Sequence, residues 1–134
     1  MLCEYLDLAH RFPAMAQLVT RGVLNLVQLF NQRSTELILG AQARSTAAKL
    51  QTISARHLAL LSQCLGLTIA ALPGYSAALC ALCPAGEQRA RLEEQFKSKT
   101  KDYEAHQERI FSKFVHMISE LVAHKCAEVT VRAP

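Results

Sequence analysis

Few side chains in this sequence are placed to do chemistry. Cys80-Ala81-Leu82-Cys83 has the CxxC spacing of a thiol redox pair or of half a zinc site. The redox reading needs a βαβ setting, and no strand pattern surrounds the pair. The zinc reading needs two further ligands at short spacing, which the sequence does not supply. Two small buried thiols at the end of an apolar helix is the simpler expectation. His116, His124 and Cys126 also contain ligand types. On a helix, however, 116 and 124 lie two turns apart, too far for one ion. Glu93-Glu94 and Asp102 fall on a charged helical face, whereas paired catalytic carboxylates need a pocket. The run Lys97-Ser98-Lys99-Thr100-Lys101 could meet acidic lipid or an acidic partner, and otherwise reads as a solvated face.

No GxSxG, no phosphate-binding glycine loop and no HExxH occurs. The expectation is a protein that is not an enzyme, with no catalytic, cofactor-binding or metal-binding residue. No cofactor and no small-molecule substrate are expected, and no partner-binding residue can be named.

Composition narrows the elements that could carry these residues. The chain has 134 residues, 51% of them hydrophobic and 19% charged, with no Trp, four Pro and five Gly. Such a chain favours helices over a β-sandwich or disorder. Its length fits one domain with one core, residues 1–134. The net charge of +4 is spread along the chain, so no electrostatic footprint for nucleic acid appears. Five cysteines and an N-terminus that carries Glu4 and Asp7 fit reduced thiols and no signal peptide. The chain starts directly in helical periodicity, so it is expected to be a piece of a longer helical array.

Periodicity predicts a short helix over Leu2–His10, ended or redirected by Pro13. A long helix follows over Ala14–Ala43. Its expected stripe is Met15, Val19, Val23, Leu26, Phe30 and Leu37, with Leu18, Leu24 and Leu29 on other faces. Ala41–Gln51 is the expected loop, and Thr52 or Ser54 the expected cap of the next helix. Pro84-Ala85-Gly86 is a second break. After it, Glu87–Glu128 is expected as one helix with Leu92, Phe96, Tyr103, Ile110, Phe114, Met117 and Leu121 on one face.

Between these helices lies Leu58–Leu82, which carries no formal charge. It could be a membrane span, which would make the protein a small membrane-anchored helical protein. Ser62, Gln63, Gly66, Thr68, Pro73-Gly74 and Ser76 interrupt the run, there is no Trp belt, and Arg56 is the only basic residue on one flank. The favoured expectation is a central helix from about Ser54 to Leu82, kinked at Pro73 and buried on nearly all sides. One stripe would be Leu58, Leu61, Leu65, Ile69 and Leu72, and a second Leu60 and Leu67. The fold expected is all-α: an elongated bundle of about four or five helices.

Several segments in order resemble a known family. They are Phe30-Asn31-Gln32-Arg33, Leu37-Ile38-Leu39-Gly40-Ala41, Lys49-Leu50-Gln51-Thr52-Ile53 and Leu58-Ala59-Leu60. Thr100-Lys101-Asp102-Tyr103 with His106, and the closing Val131-Arg132-Ala133-Pro134, complete the set. Over roughly Phe12 to Pro134 they resemble the C-terminal region of the vacuolar protein sorting-associated protein 54 family. That family supplies the large subunit of the Golgi-associated retrograde protein (GARP) tethering complex. The resemblance implies a helical rod of the tethering-complex type and a role in capturing endosome-derived vesicles. It implies the other GARP subunits as partners, together with SNAREs or endosomal membrane. It implies a peripheral location on the cytosolic face of the trans-Golgi network and endosomes. The family chain continues past the position of Pro134. In Leu72–Gly86 this sequence is richer in Ala and Cys than the family pattern, which puts contacts through that segment in doubt.

Overall fold

A computed structural model describes residues 2–39 and 53–132, and the described residues form four α-helices and no strand. The helices are α1 (Leu2–Arg11), α2 (Ala16–Ile38), α3 (Ala55–Leu82) and α4 (Glu87–Arg132). The all-α bundle read from composition is therefore the fold. The expected loop Ala41–Gln51, the cap Thr52 and the continuation of α2 over residues 40–43 lie outside the described residues.

Pro13 separates α1 from α2. The residue before it, Phe12, leaves the helical region at φ −129° and ψ 72°, as steric conflict with the proline ring requires. Pro13–Met15 then forms one 3-10 turn, closed by Met15 N–H donating to Phe12 O at 2.9 Å. The long helix therefore starts at Ala16, two residues later than the periodicity suggested.

At the start of α3, Ser54 is extended (φ −97°, ψ 163°) and caps the helix. Its backbone N–H donates to His57 Nδ1 at 3.1 Å, and its hydroxyl lies 2.8 Å from the same nitrogen. His57 thus takes the part that Glu or Gln has in a capping box. The helix continues through Pro73 to Leu82. Cys83 N–H then donates to Cys80 O at 3.1 Å, and Gly86, at φ +143°, turns the chain into α4. Only glycine adopts that conformation without strain.

The core is one cluster fed by every helix. Leu58, Leu61, Leu65, Leu72 and Leu79 of α3 face Leu92, Phe96, Tyr103 and Ile110 of α4 in the same buried set. Ile69, Phe114 and Met117 pack on it as partly buried neighbours. Two expected stripes are corrected. On α2 the buried line runs through Ala16, Val19, Thr20, Val23, Leu24, Val27, Ser34 and Ile38. Met15, Phe30 and Leu37, expected on the packed stripe, are exposed, and Leu24, expected on another face, is buried. Small residues on this line let helices approach closely, and periodicity alone cannot weigh that against side-chain bulk.

The second correction concerns α3. Its stripe of Leu58, Leu61 and Leu65 is buried as expected, but Leu60 and Leu67 are 61% and 73% exposed. A ten-residue α1 is too short to close the bundle around a 28-residue helix. The helix is long and apolar enough to cross a membrane by composition alone. One face of it is committed to α1, α2 and α4, and the other is bare. Leu121, expected on the core stripe of α4, is also exposed. From Ile118 to Val131 every side chain of α4 is exposed, so the last turns project beyond the bundle. At ~1.5 Å per residue this 46-residue helix is roughly 69 Å long.

Candidate functional site

The densest polar chemistry inside the bundle lies where one stretch of α4, Tyr103 to Lys113, crosses α2 and α3. Tyr103 is buried, and its hydroxyl donates to Val27 O at 2.8 Å. Its ring stacks on Phe30, with centroids 6.4 Å apart and planes 20° from parallel. Burial pushes the phenol up to about 12. The group is therefore a permanent donor at neutral pH.

One turn later His106 is only 3% exposed. Its Nδ1 lies 2.7 Å from Asn31 Oδ1 and 3.2 Å from Thr35 Oγ1. Asn31 Oδ1 only accepts, so Nδ1 carries the proton in this arrangement. Burial lowers the imidazole pKa, and the nearby Arg109 guanidinium lowers it further. A neutral ring satisfied by an amide and a hydroxyl is a structural histidine. Catalytic work would need a free face toward a substrate.

The same stretch reaches both neighbouring helices again. Gln107 Nε2 donates to Ser62 O at 3.1 Å, above Gly66. Lys113 Nζ donates to Ile38 O at 3.1 Å, placing a cation on the C-terminal carbonyls of α2. Four residues on three turns of one helix therefore clamp α2 and α3 to α4. Two segments singled out in the sequence, Phe30–Arg33 and Thr100–Tyr103 with His106, meet in this clamp. Gln107 and Lys113 carried no signal in the sequence, because an exposed-type residue on a mixed face looks the same whether or not it crosses to a neighbour.

The other chemical candidates are spoken for. Cys80 and Cys83 are both buried. The Cys83 thiol donates to Leu79 O at 3.5 Å and lies 3.7 Å from Thr20 Oγ1. Burial pushes the Cys80 thiol up, away from the thiolate that redox or metal chemistry needs. His116 and His124 pair along the helix with Glu120 at 3.3 Å and Glu128 at 3.5 Å, on exposed turns. Among the described residues no three His, Cys, Asp or Glu side chains converge on a point that could hold an ion. Glu93 pairs with Arg89, Glu94 with Lys97 and Asp102 with Lys99, so these charges form a solvated face.

Two open grooves lie between helices. A groove of about 640 Å³ runs between the C-terminal half of α3 and the N-terminal half of α4. Leu72, Pro73, Ala77 and Phe96 contribute its apolar part, and Lys97, Lys101 and Glu104 its charged part. A second, more apolar groove of about 410 Å³ lies between Leu2, Leu26, Phe30 and Tyr103.

A family model described as Vps54-like protein matches residues 1–121 and so includes α1, which the resemblance over Phe12–Pro134 left out. Vacuolar protein sorting-associated protein 54 of Drosophila melanogaster is 33% identical over 140 residues, covering 100% of this chain and 13% of that protein. The chloroplastic protein of the same name from Arabidopsis thaliana is 31% identical over 125 residues, covering 92% and 12%. The Homo sapiens protein is 30% identical over 134 residues, covering 100% and 13%. The chain thus spans about an eighth of the length of these relatives. No solved structure matches. From its first helix to the exposed turns of its last, the chain belongs to the Vps54-like protein family.

Proposed function

We propose that the chain is a non-enzymatic helical module of a vesicle-tethering subunit acting in endosome-to-Golgi retrograde transport. The observation that carries this reading is the match of the whole chain to proteins named for vacuolar protein sorting. The geometry supports it. His106, Tyr103, Cys80 and Cys83 are consumed in holding helices together, and what remains outside is helix face and open groove. A tether needs an extended scaffold with several faces for weak contacts, and a long helix clamped to a short bundle supplies one. The partners proposed are the other subunits of the GARP complex, with SNAREs or endosomal membrane as further contacts. The place proposed is the cytosolic side of the trans-Golgi network and endosomes, held peripherally.

Deletion of this region from the full-length protein tests the reading. Affinity capture with the deleted protein should lose tether subunits or vesicle components, and endosomal targeting should fail. Targeting that survives the deletion would overturn the role given to this module. Membrane insertion through α3 has the weaker case, because the buried Leu58, Leu61, Leu65 and Leu72 are needed by the core. Resistance of the native protein to carbonate extraction would restore that reading.

A further inference from the structure

We infer that α4 from Glu108 to Lys125, where the helix leaves the bundle, is a self-association surface, whose occupant is the same segment of a second copy of this chain packed antiparallel. Phe111, Val115, Ile118 and Val122 are all exposed and follow the alternating four- and three-residue spacing of a coiled-coil seam. The seam continues an interface already present. Gln107, one turn before Phe111, reaches Ser62 of α3. Phe111 itself lines an apolar notch of about 220 Å³ with Leu58 and Ala59, at the beginning of α3. There α3 starts and its cover ends, while the apolar side of α4 runs on.

The ends of the seam specify what lies against it. Glu108 holds the seam position before Phe111 and Lys125 the position after Val122, and both are exposed. Turned end for end, the seam is its own complement. Phe111 meets Val122 of the second copy, Val115 meets its Ile118, and Glu108 meets its Lys125, each contact occurring twice by the two-fold axis. A parallel pair would set Glu108 against Glu108 and Lys125 against Lys125. Charge therefore selects the antiparallel copy. Lys125 bonds to Glu128 at 2.9 Å within its own helix, but both groups are solvated, so exchanging that partner costs little.

Sedimentation equilibrium of the 134-residue chain tests this. A reversible dimer is expected, with a dissociation constant on the order of 100 µM or tighter, as suits a short seam. Glu108→Lys and Lys125→Glu should each weaken it roughly tenfold, and the double reversal should restore it. Ile118→Asp should abolish it, and Val122→Asp should do the same. All four positions are exposed, so circular dichroism should show unchanged helix content. A chain that stays monomeric at millimolar concentration would overturn the proposal and leave the seam to another occupant. A dimer indifferent to Ile118→Asp, or a double reversal weaker than either single change, would overturn it equally.

Discussion

Asn31 Oδ1 and His106 Nδ1 lie 2.7 Å apart across the α2–α4 interface, with the imidazole almost wholly out of water. The bond places the proton on Nδ1, and burial together with Arg109 lowers the ring's pKa, which makes the fold sensitive to acid. In the unfolded chain a histidine titrates near ~6.5. In the folded chain the titration lies lower, so below ~6.5 the unfolded state binds the proton more readily.

Stability should therefore be full above about pH 6.5 and fall as pH drops toward the folded-state pKa. A series of urea unfolding curves from pH 5 to pH 8 measures this. His106→Gln keeps a donor for Asn31 without a titrating group, and it should flatten the profile in this window. A wild-type profile no steeper than that of the variant would refute the assignment.

Tyr103→Phe removes the hydroxyl that reaches Val27 O and leaves the ring on Phe30. The expected cost is about 1 kcal/mol. Tyr103→Ala also removes a buried ring and should cost about 3–5 kcal/mol. The difference between the two midpoints in denaturant separates ring packing from the bond.

Along α3 two leucines two residues apart should behave oppositely. Leu65→Ala opens a cavity at a fully buried position and should cost about 2–5 kcal/mol. Leu67→Lys lies on the bare face and should change stability by about 0.5 kcal/mol or less. If Leu67→Lys were as damaging as Leu65→Ala, the helix would be enclosed on both sides.

Thiol accessibility gives a check that needs no mutation. Cys3 and Cys126 are exposed, Cys64 is half-buried, and Cys80 and Cys83 are buried. With an excess of an aromatic disulfide reagent, Cys3 and Cys126 should react first in the native protein. Cys80 and Cys83 should react only at the rate of unfolding. Rapid labelling of Cys83 in native conditions would contradict the packing of the α3–α4 turn.

Much of the fold was legible because its signals are local. Pro13, Ser54 and the Pro84–Gly86 break act on their own neighbours, and the element ends they mark fall within two residues of expectation. The stripe of α4 was legible down to Ile110 because large apolar residues repeat on one face. Burial was less legible. Leu60 and Leu67 are as apolar as Leu58 and Leu65, and which pair meets solvent depends on where the neighbouring helices lie against α3. Ala16, Thr20 and Ser34 of α2 are buried while Met15 and Phe30 are exposed, a choice made by how the neighbouring helices lie against this one. The clamp residues were half legible. Asn31, Tyr103 and His106 stood out as members of resembling segments, but their meeting depends on how α2 and α4 lie together, which no spacing along one helix encodes.

The clamp has a mechanical consequence. Beyond Met117, the last side chain of α4 packed on the core, the helix extends another 15 residues to Arg132, an arm of roughly 23 Å with no second support among the described helices. A pull on that arm is not absorbed at the tip. It arrives at Lys113, Gln107, His106 and Tyr103 as torque about a fulcrum, against bonds that reach two different helices. A load along the axis of α4 shears the bonds of all four residues together, and a sideways load peels them in order from Lys113 inward. The module is thus stiff to tension along its rod and yielding across it.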